Sequence, residues 1–238
     1  MAKTNNNRKK IIAVEPCKNL EFSNGRLRGA LSTAERQQLA CVMLEDVLTG
    51  LFNSRELGGV LVVSDDKVVK RIATDFGATC LENYIDKGLS SALTEANQLL
   101  DEEGAKGVIA VHADLPYLTG DDFRPLFRSL RTGPSVAIVP AARDKGTNVL
   151  AMSPPGVIDY AYGKLSSLRH AAEAREKGIE PNLLQIPRLS FDLDTPEDLI
   201  RFITTPSNTN TYRYLVKSGV EARILEHKIN KSQIQAAG

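Results

Sequence analysis

Three aspartates near the ends of predicted strands are the residues of this sequence best suited to chemistry. Asp114 follows the apolar run in V-I-A-V-H-A-D-L-P (108–116), and open α/β sheets bind ligands beyond the carboxyl ends of their strands. In S-F-D-L-D-T-P (190–196), strand alternation places the carboxylates of Asp192 and Asp194 on one face. Mg²⁺ takes such oxygen ligands together with substrate phosphates and water. The pattern predicts a magnesium site formed by Asp114 and Asp192, with Asp194 either a third ligand or support for the next helix cap.

A second set of small and hydroxyl residues suits an anion. Gly146 and Thr147 precede the predicted strand at 148–152, and Gly163 and Ser166 lie at the start of the next predicted helix. Free N–H groups and the helix dipole favour negative charge at such a start. A turn glycine and a capping serine are the alternative interpretation. Positive charge nearby comes from Arg143, Lys145 and Lys164.

Two further segments are candidates for contacts with a nucleotide's ribose or base. V-V-S-D-D (62–66) ends a strand and begins a helix, and G-L-S-S-A-L (88–93) opens another. Asp65, Asp66 and Ser90 are therefore candidate nucleotide-binding residues, and Gly146 is a fourth. Ordinary helix capping by Asp66 and Ser90 explains the same pattern equally well.

Other kinds of catalytic site lack support in the sequence. It has neither a Walker-type phosphate loop nor a G-x-G-x-x-G fingerprint. His112, His170 and His227 do not form a triad pattern, and we interpret them as structural or solvated. The three cysteines are odd in number and widely spaced, which argues against disulfides and zinc and favours a cytoplasmic location.

Short apolar strands alternating with helices must position these residues. Uninterrupted runs such as V-L-V-V and V-I-A-V are typical of a parallel sheet covered on both faces. We therefore predict a three-layer α/β/α sandwich with a mostly parallel sheet. The predicted strands are 11–14, 59–64, 78–81, 108–112, 135–140, 148–152 and 189–191. The first predicted helix begins at Ser32. The later predicted helices cover 66–76, 88–103, 121–131, 165–177 and 196–203.

The chain divides by pattern into a basic arm over 1–10, which we expect to be disordered, a domain over 11–203, and a linker with a tail over 204–238. The net charge is +1, but the arm holds four basic and no acidic residues, so the rest carries −3. That balance argues against nucleic acid as a partner. No apolar run approaches the roughly 20 residues that span a bilayer, so no membrane association is predicted.

Taken in order, these segments resemble the guanylyltransferases that make the activated phosphoacid precursor of the deazaflavin coenzyme F(420). The matching motifs, spread over 11–203, are L-S-T-A-E-R-Q-Q-L-A-C-V-M-L-E-D-V-L (31–48), V-V-S-D-D (62–66), H-A-D-L-P (112–116), G-T-N-V-L (146–150), Y-G-K-L-S-S-L-R-H-A (162–171) and D-L-D-T-P-E-D-L (192–199). The resemblance implies a nucleotidyltransferase domain of the glycosyltransferase-A type that uses GTP and magnesium. It implies metal binding by Asp114 and Asp192, and binding of the acceptor's carboxylate by Thr147, Gly163 and Ser166.

The chain departs from this family in the loop after the first strand. The family carries V-K-P-L and then A-K-S-R-L, whose lysines would neutralise the triphosphate. Here Glu15 and Asn24 occupy the lysine positions, with about three extra residues between them. Arg26 survives and Lys18 is a possible replacement, so these two are the predicted catalytic cations, whereas Glu15 is expected to repel a triphosphate. Ser90 likewise stands where the family has asparagine.

The resemblance implies attack by a phosphoacid's phosphate on the α-phosphorus of GTP, with release of pyrophosphate and no need for a general base. Phosphoenolpyruvate, favoured here, 2-phospho-L-lactate and 3-phospho-D-glycerate are the candidate acceptors. The alternatives are a non-catalytic paralogue that binds a nucleotide or partner, and a glycosyltransferase using the D-x-D pair. We also expect direct hand-off of product to the downstream deazaflavin transferase; the oligomeric state stays open.

Overall fold

A seven-stranded sheet organises the residues that the computed structural model describes, which are 10–81, 85 and 87–226. Its strands are β1 (Ile11–Pro16), β2 (Leu57–Val63), β3 (Thr79–Cys80), β4 (Gly107–Val111), β5 (Ser135–Pro140), β6 (Thr147–Ser153) and β7 (Asn182–Leu183). They lie in the order β3-β2-β1-β4-β6-β5-β7. Only β6 runs antiparallel to its neighbours β4 and β5. The predicted, mostly parallel sheet is confirmed.

The helices are α1 (Thr33–Phe52), α2 (Lys67–Asp75), α3 (Leu89–Glu102), α4 (Arg124–Ser129), α5 (Ser166–Glu176), α6 (Pro187–Ser190), α7 (Pro196–Ile203) and α8 (Asn210–Lys217). Two begin with reciprocal capping boxes, which the sequence signals directly. Ser32 pairs with Glu35 at the start of α1, and Thr195 pairs with Asp198 at the start of α7.

Alternation along the strands builds two core layers, one on each face of the sheet. Val60 and Val62 of β2 pack in the cluster that contains the buried face of α1. Leu61 and Val63 point the other way, into the cluster formed with α3 and α5. Because both faces of the sheet are covered, the three-layer sandwich is confirmed.

The prediction of a strand over 189–191 is wrong. Pro187 starts the short helix α6 instead, and the Ser190 amide donates to the carbonyl oxygen of Ile186 at 2.9 Å. The strand at this edge of the sheet is β7, which pairs with β5. The backbone after α6 is nevertheless extended, with Phe191 and Leu193 buried and the neighbouring aspartates on the other side.

The segment predicted to be a linker and tail is described over residues 204–226, and helix α8 anchors it to α1. The Asp46 carboxylate accepts from the amides of Asn210 and Thr211 at 2.7 and 2.8 Å and from the Thr211 hydroxyl at 2.7 Å. Leu215 and Val220 are buried in a third cluster that also takes in α7. Residues 204–226 therefore pack on the same core as α1.

Of the predicted arm over 1–10, only Lys10 lies within the described residues, and His227 lies outside them. Among the described helices, none is both long and apolar enough to cross a membrane.

Candidate active site

A pocket of about 370 Å³ opens at the carboxyl ends of β1, β2 and β4, a size in the range of small-ligand sites. It brings together residues from the loop after β1, the start of α3, the end of β4 and the segment before α7. Its lining includes Lys18, Phe22, Asn24, Arg26, Leu89, Ala92, His112, Asp114 and Asp194. Both predicted catalytic cations and two of the predicted metal-binding aspartates therefore share one cavity.

Asp114 lies at the end of β4 in an environment that leaves its charge uncompensated. Its Oδ1 is buried without a hydrogen-bond partner among the described residues. Burial, and then the charges of Asp192 and Asp194, raise the pKa of the Asp114 carboxyl to about 7. A divalent cation would supply the missing partner for this oxygen, so the residues present fit a magnesium ion.

The described residues include no group of three or more His, Cys, Asp or Glu side chains arranged to hold a metal. An ion held by Asp114 and Asp192 would therefore complete its coordination with substrate oxygens and water, as Mg²⁺ usually does.

The aspartates before α7 are held by two arginines. Arg143 Nη2 lies 3.4 Å from Asp192 Oδ2 and 3.1 Å from Asp194 Oδ2, and Arg26 forms an ion pair with Asp194. Burial raises the pKa of Asp192, although Asn148 Nδ2 donates to its Oδ1 at 3.4 Å. The arginines bring positive charge to the same side of the pocket as the carboxylates.

Glu15 and Asn24, which stand where the resembled family has lysines, lie in different environments. Glu15 is fully buried on β1, and neither carboxyl oxygen has a partner among the described residues. Burial, and then the charge of Asp114, raise the pKa of Glu15 to about 8, so the side chain is mostly protonated at neutral pH. A protonated carboxyl carries no charge that would repel a triphosphate, and the repulsion expected of a charged Glu15 stays a prediction. Asn24 adopts the left-handed conformation at φ 53°, and its Nδ2 donates to the Arg36 carbonyl at 3.2 Å.

None of the four predicted nucleotide-binding residues, Asp65, Asp66, Ser90 and Gly146, lines the pocket. Asp66 caps α2, accepting from the amides of Val68 and Val69, and its second oxygen accepts from the Leu20 amide at 3.0 Å. Asp65 is exposed to solvent beside it. Gly146 instead lies in the β5–β6 hairpin loop, where its amide donates to Asp144.

Ser90 is the remaining nucleotide candidate. It lies in the first turn of α3, next to Leu89, which lines the pocket. The cap position of this helix is occupied by Gly88, so the capping alternative for Ser90 is wrong.

The predicted anion-binding residues Thr147, Gly163 and Ser166 converge with one another, outside the lining of this pocket. Thr147 Oγ1 and Ser166 Oγ are 3.0 Å apart, and the Ser166 amide donates to the Gly163 carbonyl at 3.2 Å. Gly163 has φ +123°, a conformation that a side chain disfavours. Sequence reasoning missed the role of His170, whose Nδ1 lies 3.0 Å from Thr147 Oγ1. The available signal was the i,i+4 spacing of Ser166 and His170 on one helix.

Comparisons with known proteins identify the family of this chain. A family model described as "Guanylyl transferase CofC like" matches residues 9–235. The phosphoenolpyruvate guanylyltransferase of Sphaerobacter thermophilus is 36% identical over 188 residues, covering 79% of this chain and 90% of that protein. The 3-phospho-D-glycerate guanylyltransferase of Colwellia psychrerythraea is 34% identical over 187 residues, covering 78% and 88%.

Solved structures show the same fold at low sequence identity. The 4-diphosphocytidyl-2C-methyl-D-erythritol synthase of Anaerococcus prevotii has a TM-score of 0.58 at 13% identity, covering 87% of this chain and 96% of that chain. A nucleotidyl transferase from Methanothermobacter thermautotroptrophicus has a TM-score of 0.57 at 15% identity, covering 81% and 95%. The fold is that of nucleotidyltransferases. With its family match and its relatives, the chain is a nucleotidyltransferase enzyme that belongs to the CofC-like guanylyl transferase family.

Proposed function

We propose that this enzyme transfers GMP from GTP to a small phosphoacid, with release of pyrophosphate, in coenzyme F(420) biosynthesis. The observation that carries the proposal is the buried, unpaired Oδ1 of Asp114 in a pocket that also presents Lys18 and Arg26. A buried carboxylate that lacks a cation, in a pocket that is also lined by two basic side chains, suits a magnesium–triphosphate complex. The names of the relatives support guanylyl transfer in particular.

In the proposed reaction, a phosphate oxygen of the acceptor forms a bond to the α-phosphorus, and the bond to the β-phosphate's bridging oxygen breaks. The attacking phosphate is already ionised at neutral pH, so the protein's task is alignment and charge neutralisation. Lys18 and Arg26 would offset the charge that develops on pyrophosphate. Because the attacking phosphate is already ionised, the proposed reaction needs no activated serine and no histidine base.

Magnesium, when bound by Asp114 and Asp192, would polarise the phosphate oxygens. Arg143 already contacts Asp192 and Asp194 and would keep these carboxylates in place. On the opposite side, Thr147, Gly163 and Ser166 would hold the acceptor's carboxylate.

Phosphoenolpyruvate is the proposed acceptor, because relatives from Sphaerobacter thermophilus and Conexibacter woesei carry that name. The Colwellia relative makes 3-phospho-D-glycerate the second candidate, and 2-phospho-L-lactate is the third.

The test is pyrophosphate release by purified protein given magnesium, each nucleoside triphosphate and each of the three acceptors. Asp114→Ala removes the unpaired carboxylate, and we expect at least a hundredfold loss of rate, since charge stabilisation of this kind contributes several kcal/mol. Asp65→Ala is the matched control, because it deletes a nearby aspartate outside the pocket lining. Release that is equal in both variants, or absent in the unaltered enzyme with every substrate pair, would overturn the proposal.

A further inference from the structure

A chain of hydrogen bonds links the imidazole of His170 to the two hydroxyls on the acceptor side. His170 Nδ1 lies 3.0 Å from Thr147 Oγ1, and Thr147 Oγ1 lies 3.0 Å from Ser166 Oγ. Thr147 is 2% exposed, Ser166 1% and His170 0%. The three side chains come from β6 and from the first two turns of α5. Their arrangement therefore depends on the packing of that helix against the sheet.

The protonation of this imidazole follows from its second nitrogen. The backbone amide of Ala161 donates to His170 Nε2 at 2.9 Å, and an amide N–H can only donate. Nε2 must therefore be an acceptor. Burial, and then the charge of Arg169, lower the pKa of His170 to about 4, so the ring is neutral at physiological pH. Its one hydrogen is then on Nδ1 and is donated to Thr147.

The direction of this donation decides what the hydroxyl pair can do. Thr147 and Ser166 together have two hydroxyl hydrogens, and one of them is used in the bond between the two oxygens. Since His170 donates rather than accepts, the other hydrogen has no acceptor among the residues that the structure describes. With the opposite tautomer, the Thr147 hydroxyl would donate to Nδ1 and no hydrogen would be left over.

We propose that His170 is a positioning residue that keeps the Thr147–Ser166 pair as a hydrogen-bond donor for one carboxylate oxygen of the acceptor. This inference rests on the proposed function. A carboxylate offers only acceptor lone pairs, so it needs a site with an unused donor. In a site shielded from water such a bond is stronger than in solution. The Ala161 amide acts indirectly, because it fixes the tautomer of the imidazole.

The kinetic test separates the acceptor from the nucleotide. His170→Leu removes the donor, and we expect the KM for the acceptor to rise about 10- to 100-fold, as for loss of a hydrogen bond to a charged group, while the KM for GTP changes less than twofold. His170→Asn places an amide N–H near the position of Nδ1 and should recover most of the affinity. A merely structural role would lower the amount of active enzyme without an acceptor-specific change in KM.

A second measurement does not depend on the folding of a variant. The ¹⁵N chemical shifts of the imidazole in the unaltered protein should show a protonated Nδ1 and an unprotonated Nε2 from pH 6 to 8. A protonated Nε2, or an acceptor KM unchanged in His170→Leu, would overturn the inference. If the unaltered enzyme releases no pyrophosphate with any acceptor, the proposed function fails instead, and the tautomer still tests the hydrogen-bond assignment.

Discussion

Replacing Glu15 by glutamine should make the enzyme's stability less dependent on pH. Glu15 is fully buried, and its carboxyl has no hydrogen-bond partner among the described residues. Its pKa rises from 4.5 to about 8 in the folded protein. The folded chain therefore binds this proton more tightly than the unfolded chain, and the stability that depends on it is fully present below pH 4.5 and is lost as pH rises toward 8.

The size of the stability change follows from the interval between the two pKa values of Glu15, 4.5 and about 8. Each pH unit between the two pKa values corresponds to roughly 1.4 kcal/mol, so the loss across the whole window is about 5 kcal/mol. Glutamine has nearly the same shape and no charge. The unfolding free energy of Glu15→Gln should therefore exceed that of the unaltered protein by an amount that grows by roughly 1.4 kcal/mol per pH unit between pH 5 and 7.5.

Urea unfolding at half-unit steps from pH 5 to 8, with chelator present and no nucleotide, measures this difference. The buried amide adds a constant offset, so the slope is the test and not the value at one pH. Glu56→Gln, which changes an exposed glutamate, controls for net charge. A difference between Glu15→Gln and the unaltered protein that stays flat over this range would refute the reasoning that Glu15 is protonated in the fold.

Two further predictions concern stability. Asp46→Ala should lower the unfolding free energy by about 2–4 kcal/mol, since it leaves the buried amide and hydroxyl of Thr211 without their acceptor. Urea unfolding measures this loss of stability, and a loss below about 0.5 kcal/mol would contradict the prediction. Arg188→Met should cost about 1–2 kcal/mol, because buried Asp122 loses its bidentate partner at 2.7 and 2.9 Å, while the exposure of Arg188 limits the effect. A melting temperature unchanged within 1 °C would count against this role.

The parts of the fold that could be predicted from sequence are those with a local signal. The strands of the sheet centre are uninterrupted apolar runs, and Ser32 and Thr195 carry capping boxes within four residues. The run at 189–191 was too short to separate a strand from a helix by periodicity. Pro187 at the first helical position was the deciding residue.

The candidate site was predictable only as a set of residues. The motifs identified Asp114, Thr147 and Ser166, but their environment depends on contacts between distant segments. Asp66 illustrates this, because its second oxygen is occupied by the amide of Leu20, 46 positions away. Likewise, the raised pKa of Glu15 is a consequence of burial, which no local pattern reveals.

Because β6 runs antiparallel to its neighbours, the two sides of the candidate site are connected to the sheet by different kinds of loop. On the proposed nucleotide side, the pocket is built where β1, β2 and β4 end. On the proposed acceptor side, the β5–β6 hairpin carries Arg143 in its loop and Thr147 at the start of β6. Because a hairpin loop can lengthen or shorten without moving its strands, the loop that carries Arg143 can change in length while β4, which precedes Asp114, stays in place.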